Sequence, residues 1–359
     1  MRELKRCTKC VMPETWEGIK FDKKGVCNIC REHEHKKILD WKERNNFFRE
    51  KCKFFRKKLK DKPFDCLVPY SGGKDSAYTL WAMKYKYGMR PCAVTFSHAM
   101  FSDPEGLHNL IQVPRNIGAA HVILEPDFHL VKKMVKIGIK KFGDFCFHCH
   151  MGVGSFPLRF AIQSKIPFLV WGEPTAEYQT GGHYKFDDFE EYDPKHNKKV
   201  FFAGAKLDDF IGIDGITKAD LEIFRMPSQE EYNKLGIWSV PLGNYEPWDI
   251  RKHVEIIKRN CGWKTRKIEG CYVNWDNVEC KYIGVRDWQK YLKRGFGRSA
   301  FRASIDVREG RMTRDEALKI IKKYDGKRPA SLDNFLKEMK ITEKEFLATT
   351  KKHIVPKKG

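Results

Sequence analysis

The chain's 359 residues are enough for two or three domains, and 41% apolar with 13% aromatic content excludes a disordered or low-complexity protein. No run approaches the roughly 18 uncharged apolar residues of a membrane-spanning helix, and no apolar stretch follows the charges of Met1 to Cys7, so neither membrane insertion nor secretion is expected. Basic residues outnumber acidic ones 69 to 47, a formal net charge of +22, which predicts an anionic partner and a cytoplasmic protein without naming that partner.

Cys7-x-x-Cys10 and Cys27-x-x-Cys30 open the chain at the spacing of a four-thiolate zinc ribbon. Pro13, Gly18 and Gly25 supply its turns. Four cysteines close the coordination shell, so Zn2+ would be structural; an iron–sulfur cluster could use the same ligands, but two knuckles suit zinc better. Residues 1–35 are therefore read as a ribbon. The stretch 36–62 carries twelve basic and four acidic residues with apolar side chains at roughly helical spacing. It reads as an amphipathic linker helix packing on the next domain, with a nucleic-acid-binding helix as the other reading.

Phe64 to Tyr70 reads as a buried strand, Ser71-Gly72-Gly73-Lys74-Asp75-Ser76 as a turn, and Ala77 to Tyr87 as a helix closed near Gly88. A glycine turn leading into a helix N-terminus is an anion site, because free backbone N–H groups and the helix dipole both favour phosphate. Lys74 adds a point charge, Ser71 and Ser76 add hydroxyls, and Asp75 can hold Mg2+. Neither the Walker spacing nor the Rossmann fingerprint is present. Strands at 91–97, 121–125 and 167–172 alternate with helices near 105–117, 128–141 and 152–164, which predicts a parallel α/β sheet with helices on both faces over residues 63–260. Residues 261–359 read as mainly helical, with capping boxes at Thr313-x-x-Glu316 and Thr342-x-x-Glu345 and a frayed end from Lys351 to Gly359.

The run Ser71–Ser76 resembles the S-G-G-x-D-S loop of the PP-loop ATP pyrophosphatase superfamily, whose fold is adenine nucleotide α-hydrolase-like. That resemblance implies ATP and Mg2+, cleavage between the α- and β-phosphates, Lys74 and Asp75 stabilising the departing pyrophosphate, and adenosine lying near Thr95 and Phe96. Further runs resemble the N-acetyl sugar amidotransferases of surface-polysaccharide and nonulosonic-sugar biosynthesis. They are Arg6 to Thr15, Cys146-Phe147-His148-Cys149, Val170 to Glu173, Gly295 to Arg298 and Ala303 to Arg314. Together they imply an enzyme that adenylates a sugar acetamido oxygen and replaces it with ammonia, giving an acetamidino group.

No N-terminal-nucleophile glutaminase is expected, since Arg2 stands where its cysteine would be. The resemblance implies ammonia from partner subunits similar to the glutaminase and cyclase of histidine biosynthesis. Glu173, at a strand end, would orient ammonia or the acetamide N–H, or serve structurally. Arg298 and Arg302 would bind phosphates of a nucleotide-linked sugar, or lie on a solvated loop. Cys146 and Cys149, flanked by His148 and His150, read as a second metal site, as active-site thiols or as a redox pair.

The alternative is a PP-loop tRNA thiolase whose iron–sulfur cluster would take Cys146, Cys149 and one of Cys261, Cys271 or Cys280. Against it, Trp171-Gly172-Glu173-Pro174-Thr175 occupies the place of the G-H-N-x-D-D-like stretch of those enzymes. Nucleic acid is accordingly not the expected partner.

Overall fold

The computed structural model describes residues 4–178 and 184–356; the last three residues of the tail expected to fray, 357–359, lie outside the described residues. Two helices, α1 (Asn28–Lys36) and α2 (Trp41–Lys58), precede β1 (Cys66–Pro69), α3 (Lys74–Trp81), β2 (Pro91–Phe96), α4 (Pro104–Ile117) and β3 (Ala120–Leu124). Then come α5 (Phe128–Phe142), α6 (Phe147–Ser164), β4 (Phe168–Trp171), the short α7 (Thr175–Tyr178) and α8 (Pro194–Asn197), α9 (Gln229–Leu235) and β5 (Trp238–Pro241). The chain finishes with α10 (Ile250–Cys261), α11 (Ile283–Arg294), α12 (Arg298–Arg308), α13 (Arg314–Tyr324), α14 (Ser331–Met339) and α15 (Glu343–Lys351).

All five strands are parallel, in the order β3-β2-β1-β4-β5, with helices on both faces. Strands β1, β2 and β4 are buried along their whole length, which is why they read as continuous apolar runs. The order reverses direction between β1 and β4, so a crevice opens there beyond the strand ends. Pro69 widens it. The Tyr70 N–H turns to β2, bonding Val94 O at 2.9 Å, so position 69 faces β4. Proline has no N–H to donate across that seam.

Several elements were not expected from the pattern, among them α7, α8, α9, β5 and α10. β5 is four residues long and shows no alternation. α10 is opened by Asp249, whose carboxylate accepts from the Arg251 and Lys252 N–H groups. α6 begins at Phe147 rather than Gly152, because Asp144 takes the Cys146 N–H at 2.9 Å and starts the helix one turn earlier. The linker helix packs on the sheet: α2 buries Arg44, Phe48, Cys52 and Phe55, leaving most of its lysines in solvent.

The ribbon shares one apolar cluster with the C-terminal helices, uniting Cys7, Cys10, Cys27 and Cys30 with Phe296, Ala300 and Ala303. The Trp16 ring stacks on Phe301 of α12 at 5.2 Å. Residues 262–282 form no helix or strand, and Trp263 and Val278 from this segment enter the main core. Both capping boxes form, at the starts of α13 and α15. Among the described residues, no helix is long and apolar enough to cross a membrane.

The Phe168 ring is fully buried in a three-ring cluster, 4.5 Å from Phe55 and 5.3 Å from Trp238, which lie 6.0 Å from each other. Phe168→Ala should therefore cost about 3–5 kcal/mol in denaturant unfolding, because it removes a fully buried ring and leaves a cavity.

Candidate active site

The turn after β1 is shaped by two glycines. Gly72 has a φ of +83°, and a Cβ there would stand 3.1 Å from the backbone nitrogen of Leu110. Gly73 caps α3 without a side chain, leaving the helix N-terminus open to an anion. The serines brace the loop: the Ser71 N–H bonds Ser76 Oγ at 3.2 Å, Ser76 Oγ–H donates to Gly73 O at 3.1 Å, and the Gly73 N–H bonds Ser71 Oγ at 3.2 Å. The Trp263 indole N–H holds the turn from outside, donating to Gly72 O at 2.9 Å.

Lys74 is buried and sits between two carboxylates, 2.6 Å from Asp75 Oδ2 and 3.2 Å from Asp276 Oδ1. Burial disfavours its charge, but Asp75 and Asp276 more than offset this and raise its pKa. Asp75 Oδ1 is buried with no partner among the described residues, an acceptor free for a metal ion or a ligand donor. Across the crevice, at the end of β4, Glu173 is half-buried. Loss of water and the charge of Asp75 push its pKa up to about 8, against an ordinary value of 4.5.

Asp276, fully buried, accepts from Arg302 Nε at 2.6 Å and Nη2 at 2.5 Å, and from Arg298 Nη1 at 2.8 Å. Burial raises the pKa of such a carboxyl, yet Arg302, Lys74 and Arg298 together hold it well below the usual range. Arg298 also forks onto Asp287 at 2.5 and 3.0 Å. The two arginines therefore meet the loop through Asp276 and not as a solvated cluster. Glu279 arrives from the same segment, its two carboxylate oxygens 3.2 Å from where a Cβ on Gly73 would stand. A side chain at position 73 would crowd that approach. Glu279 Oε2 is likewise unpartnered among the described residues, and burial pushes its carboxyl up.

Asp276 and Glu279 had no signal in the sequence, because a buried carboxylate in an irregular segment has neither periodicity nor motif spacing. Thr95 and Phe96 end β2 as expected, but both side chains turn inward. Thr95 Oγ–H donates to Tyr70 O at 2.7 Å, and the Phe96 ring packs on Phe224 at 5.3 Å. Cys149 lies 3.9 Å from His98 Nδ1. Cys280 is within electrostatic reach of both Cys146 and Cys149, whereas Cys261 and Cys271 sit elsewhere, near Tyr70 and near Asp276. Burial pushes Cys149 up to about 12 and Cys280 up to about 11, so both stay thiols at neutral pH.

Cys7, Cys10, Cys27 and Cys30 gather as a buried group with the spacing of a single ion, the one such group among the described residues. Cys7 and Cys30 Sγ are 3.9 Å apart, and Cys10 and Cys27 Sγ 3.8 Å. A tetrahedron with metal–sulfur bonds of about 2.3 Å has edges of about 3.8 Å, so the donors fit one metal ion. Backbone N–H groups of Cys10, Met12, Cys27 and Cys30 point at the sulfurs from 3.2–3.4 Å.

The loop motif, the parallel strand order and the position at the switch point resemble those of a PP-loop α/β domain. Residues 269–358, about a quarter of the chain, match the family described as the C-terminal domain of WbpG-like LPS biosynthesis proteins. Those residues are similar to a WbpG-like C-terminal domain. That domain supplies Asp276, Glu279, Arg298 and Arg302, so the WbpG-like segment builds one wall of the PP-loop site. No curated protein matches the chain. Among solved structures, the U34-tRNA thiolase NcsA from Methanococcus maripaludis with its [4Fe-4S] cluster aligns over 90% of this chain and 88% of its own, at 13% identity and a TM-score of 0.36. A likeness that low has no bearing on activity.

Removing the charge at the centre of this ion set takes away the anion that three buried cations share, although Lys74 keeps Asp75 and Arg298 keeps Asp287. Asp276→Asn should cost about 3–5 kcal/mol in denaturant unfolding at neutral pH. Glu173 acts in the opposite sense. Its proton is held in the folded state up to about pH 8 and released by the unfolded chain above about 4.5, so stability is full below 4.5 and falls as pH rises to 8. Glu173→Gln should remove that loss: its melting temperature relative to the parent should rise between pH 5 and 8, then level off. A constant difference across this range would show that Glu173 titrates normally.

Proposed function

We propose that the chain is a cytoplasmic, ATP-dependent amidotransferase that converts the acetamido group of an N-acetyl sugar into an acetamidino group, releasing AMP and pyrophosphate. The observation that supports it most directly is the wall of Asp276, Glu279, Arg298 and Arg302, from a WbpG-like lipopolysaccharide-biosynthesis domain, closing on the PP-loop. A loop that holds phosphates is thereby joined to a domain of surface-sugar metabolism.

An acetamide carbon is a poor electrophile, and activation at its oxygen corrects this. The acetamido oxygen attacks the α-phosphorus of ATP, and pyrophosphate leaves with the P–O electron pair. The open N-terminus of α3, Ser71, Ser76 and Lys74 receive the pyrophosphate charge as it develops. Mg2+, held by Asp75 through its free Oδ1, would neutralise further phosphate charge. Lys74 is pinned by Asp75 and Asp276 before substrate arrives, so little reorganisation remains for the transition state.

Ammonium then gives a proton to the Glu173 carboxylate. The freed lone pair forms the C–N bond, the C–O bond to AMP breaks, and the oxygen departs with AMP. Because Glu173 holds its proton up to about pH 8, the carboxylate that takes this proton is the minor form at neutral pH and grows as pH rises toward 8. Ammonia would come from a partner glutaminase with a cyclase-like subunit. The four-cysteine ribbon would hold Zn2+, and a nucleotide-linked sugar would take up part of the positive charge.

One observation favours a second reading. Cys280 lies within reach of Cys146 and Cys149, the three thiols a tRNA thiolase would use for an iron–sulfur cluster. Metal analysis of anaerobically purified protein separates the two: zinc without iron is expected, whereas stoichiometric iron and a brown colour would favour the thiolase.

The activity itself is tested by mass spectrometry of acetamido sugars incubated with ATP and ammonium. A loss of about one mass unit, with AMP formed, is expected for oxygen replaced by NH. Lys74→Ala should lower AMP formation by about two to three orders of magnitude with the fold intact. ADP as the nucleotide product would refute the mechanism.

A further inference from the structure

The cations at the PP-loop crevice are held by carboxylates of the fold: Lys74 by Asp75 and Asp276, Arg298 by Asp276 and Asp287, Arg302 by Asp276. The positive surplus lies elsewhere. Residues 36–62 hold twelve basic and four acidic residues, so they carry +8 of the chain's +22. The arginines of α2 are engaged within the fold. Arg44 donates to Phe186 O and Asp187, Arg49 to Asn45, and Arg56 to Gly88 O. Two carboxylates border its lysines, Glu50 paired with Lys53 at 2.8 Å and Glu191 within electrostatic reach of Lys51. Lys57, Lys58 and Lys60 are exposed and, with Lys62, have no ion pair among the described residues.

The same helix exposes aromatic rings. Phe47 is 49% and Phe54 56% exposed, whereas the neighbouring Phe48 and Phe55 are buried in the core. Phe47, Lys51, Phe54 and Lys58 follow at helical spacing and form one stripe along α2. Lys51 Nζ stands 5.3 Å from the Phe47 ring and Lys58 Nζ 5.8 Å from the Phe54 ring. Phe189, 43% exposed, extends the stripe beside Arg44, whose guanidinium is 4.2 Å from its ring. Single exposed apolar residues are ordinary, but three rings in line with a row of lysines mark a contact surface. The mount is rigid: Phe47 and Phe48 pack on Tyr245 at 6.1 and 5.0 Å. The helix runs opposite to the strands. Asn45, near its start, donates to Tyr245 O beyond the end of β5, and Leu59 O, after its end, accepts from Arg90, just before β2. The lysine-rich end therefore lies at the strand starts, away from the PP-loop crevice.

We infer that this face of α2 docks the protein reversibly on an anionic phospholipid bilayer, an assignment independent of the amidotransferase reading. Phe47, Phe54 and Phe189 enter the boundary between headgroups and acyl chains, while the lysines keep their amines at the phosphate level on flexible stems. The kind of cation decides against nucleic acid. A mobile lysine suits a diffuse anionic surface, whereas bidentate reading of phosphates and bases calls for arginine forks, and those of α2 are occupied. A second copy of the chain would bring like charges together. With the helix side-on to the bilayer, the crevice beyond the strand ends stays open to water.

The test is flotation of the full chain with vesicles of equal parts phosphatidylglycerol and phosphatidylcholine, against vesicles of phosphatidylcholine alone. The parent should bind the anionic vesicles at least about tenfold more tightly, with affinity falling as salt rises. Lys57→Glu with Lys58→Glu, and separately Phe47→Ser with Phe54→Ser, should each weaken binding about tenfold or more. Thermal unfolding should stay as in the parent, because all four side chains are exposed. Lys319→Glu with Lys322→Glu on α13 changes the net charge equally and should leave vesicle binding within about threefold. An equal loss in the α13 variant overturns the face, since the overall charge would then be acting. Unchanged binding in the phenylalanine variant overturns it too, because the rings would then not enter the bilayer. A parent that does not float, but binds single-stranded RNA through the same four residues, would give the face to nucleic acid. None of these readouts involves AMP formation, so the proposal and the amidotransferase reading fail separately.

Discussion

Asp276 is the constraint on which the rest of the structure turns. A fully buried carboxylate is tolerated only when its charge is met by close, well-directed donors, and three cations meet it: Lys74 from the loop and Arg298 and Arg302 from α12. Two of the three are held from a second side as well, Lys74 by Asp75 and Arg298 by Asp287. The ion set therefore fixes α12 against the crevice and holds Lys74 at the helix N-terminus before any phosphate arrives. Satisfied buried networks of this kind rigidify what they join. Here they join the PP-loop to the WbpG-like domain.

The ribbon belongs to the same construction. Arg308, at the end of α12, directs Nη1 to Cys10 Sγ at 3.8 Å, and Arg314 donates to the carbonyls of Cys7 and Cys10 at 3.2 Å. Thr15 and Arg294 exchange bonds at 2.6 and 2.9 Å. With Trp16 stacked on Phe301, the four-cysteine site becomes a clamp on the helix that carries Arg298 and Arg302. A metal held there would bear on the PP-loop crevice through one rigid helix, and a ribbon unable to close would loosen the arginine wall.

Much of this was legible in advance, for identifiable reasons. The cysteine knuckles and Ser71–Ser76 are local: each needs only a few residues at set spacing, so the chain displays them directly. The apolar strands and the capping boxes at Thr313 and Thr342 are local too. β5 and α10 were not legible, because a four-residue strand shows no period and α10 depends on a cap at Asp249 set by tertiary position. Thr95 and Phe96 show the complementary gap. Their place at the end of β2 was readable, but strand alternation and packing sent their side chains into the core.

By itself the sequence determined a phosphate loop after a buried strand, a four-cysteine ribbon and a surplus of positive charge. Only the tertiary structure decided which charges act together. Arg298 and Arg302 read as a basic loop until burial paired them with Asp276, and Glu279 read as nothing until Gly73 let it approach. The reason is physical. Propensity and motif spacing are short-range properties of the chain, whereas the strength and partner of a charge depend on what surrounds it, and here Asp276 stands 22 and 26 residues from its arginines and 202 from Lys74.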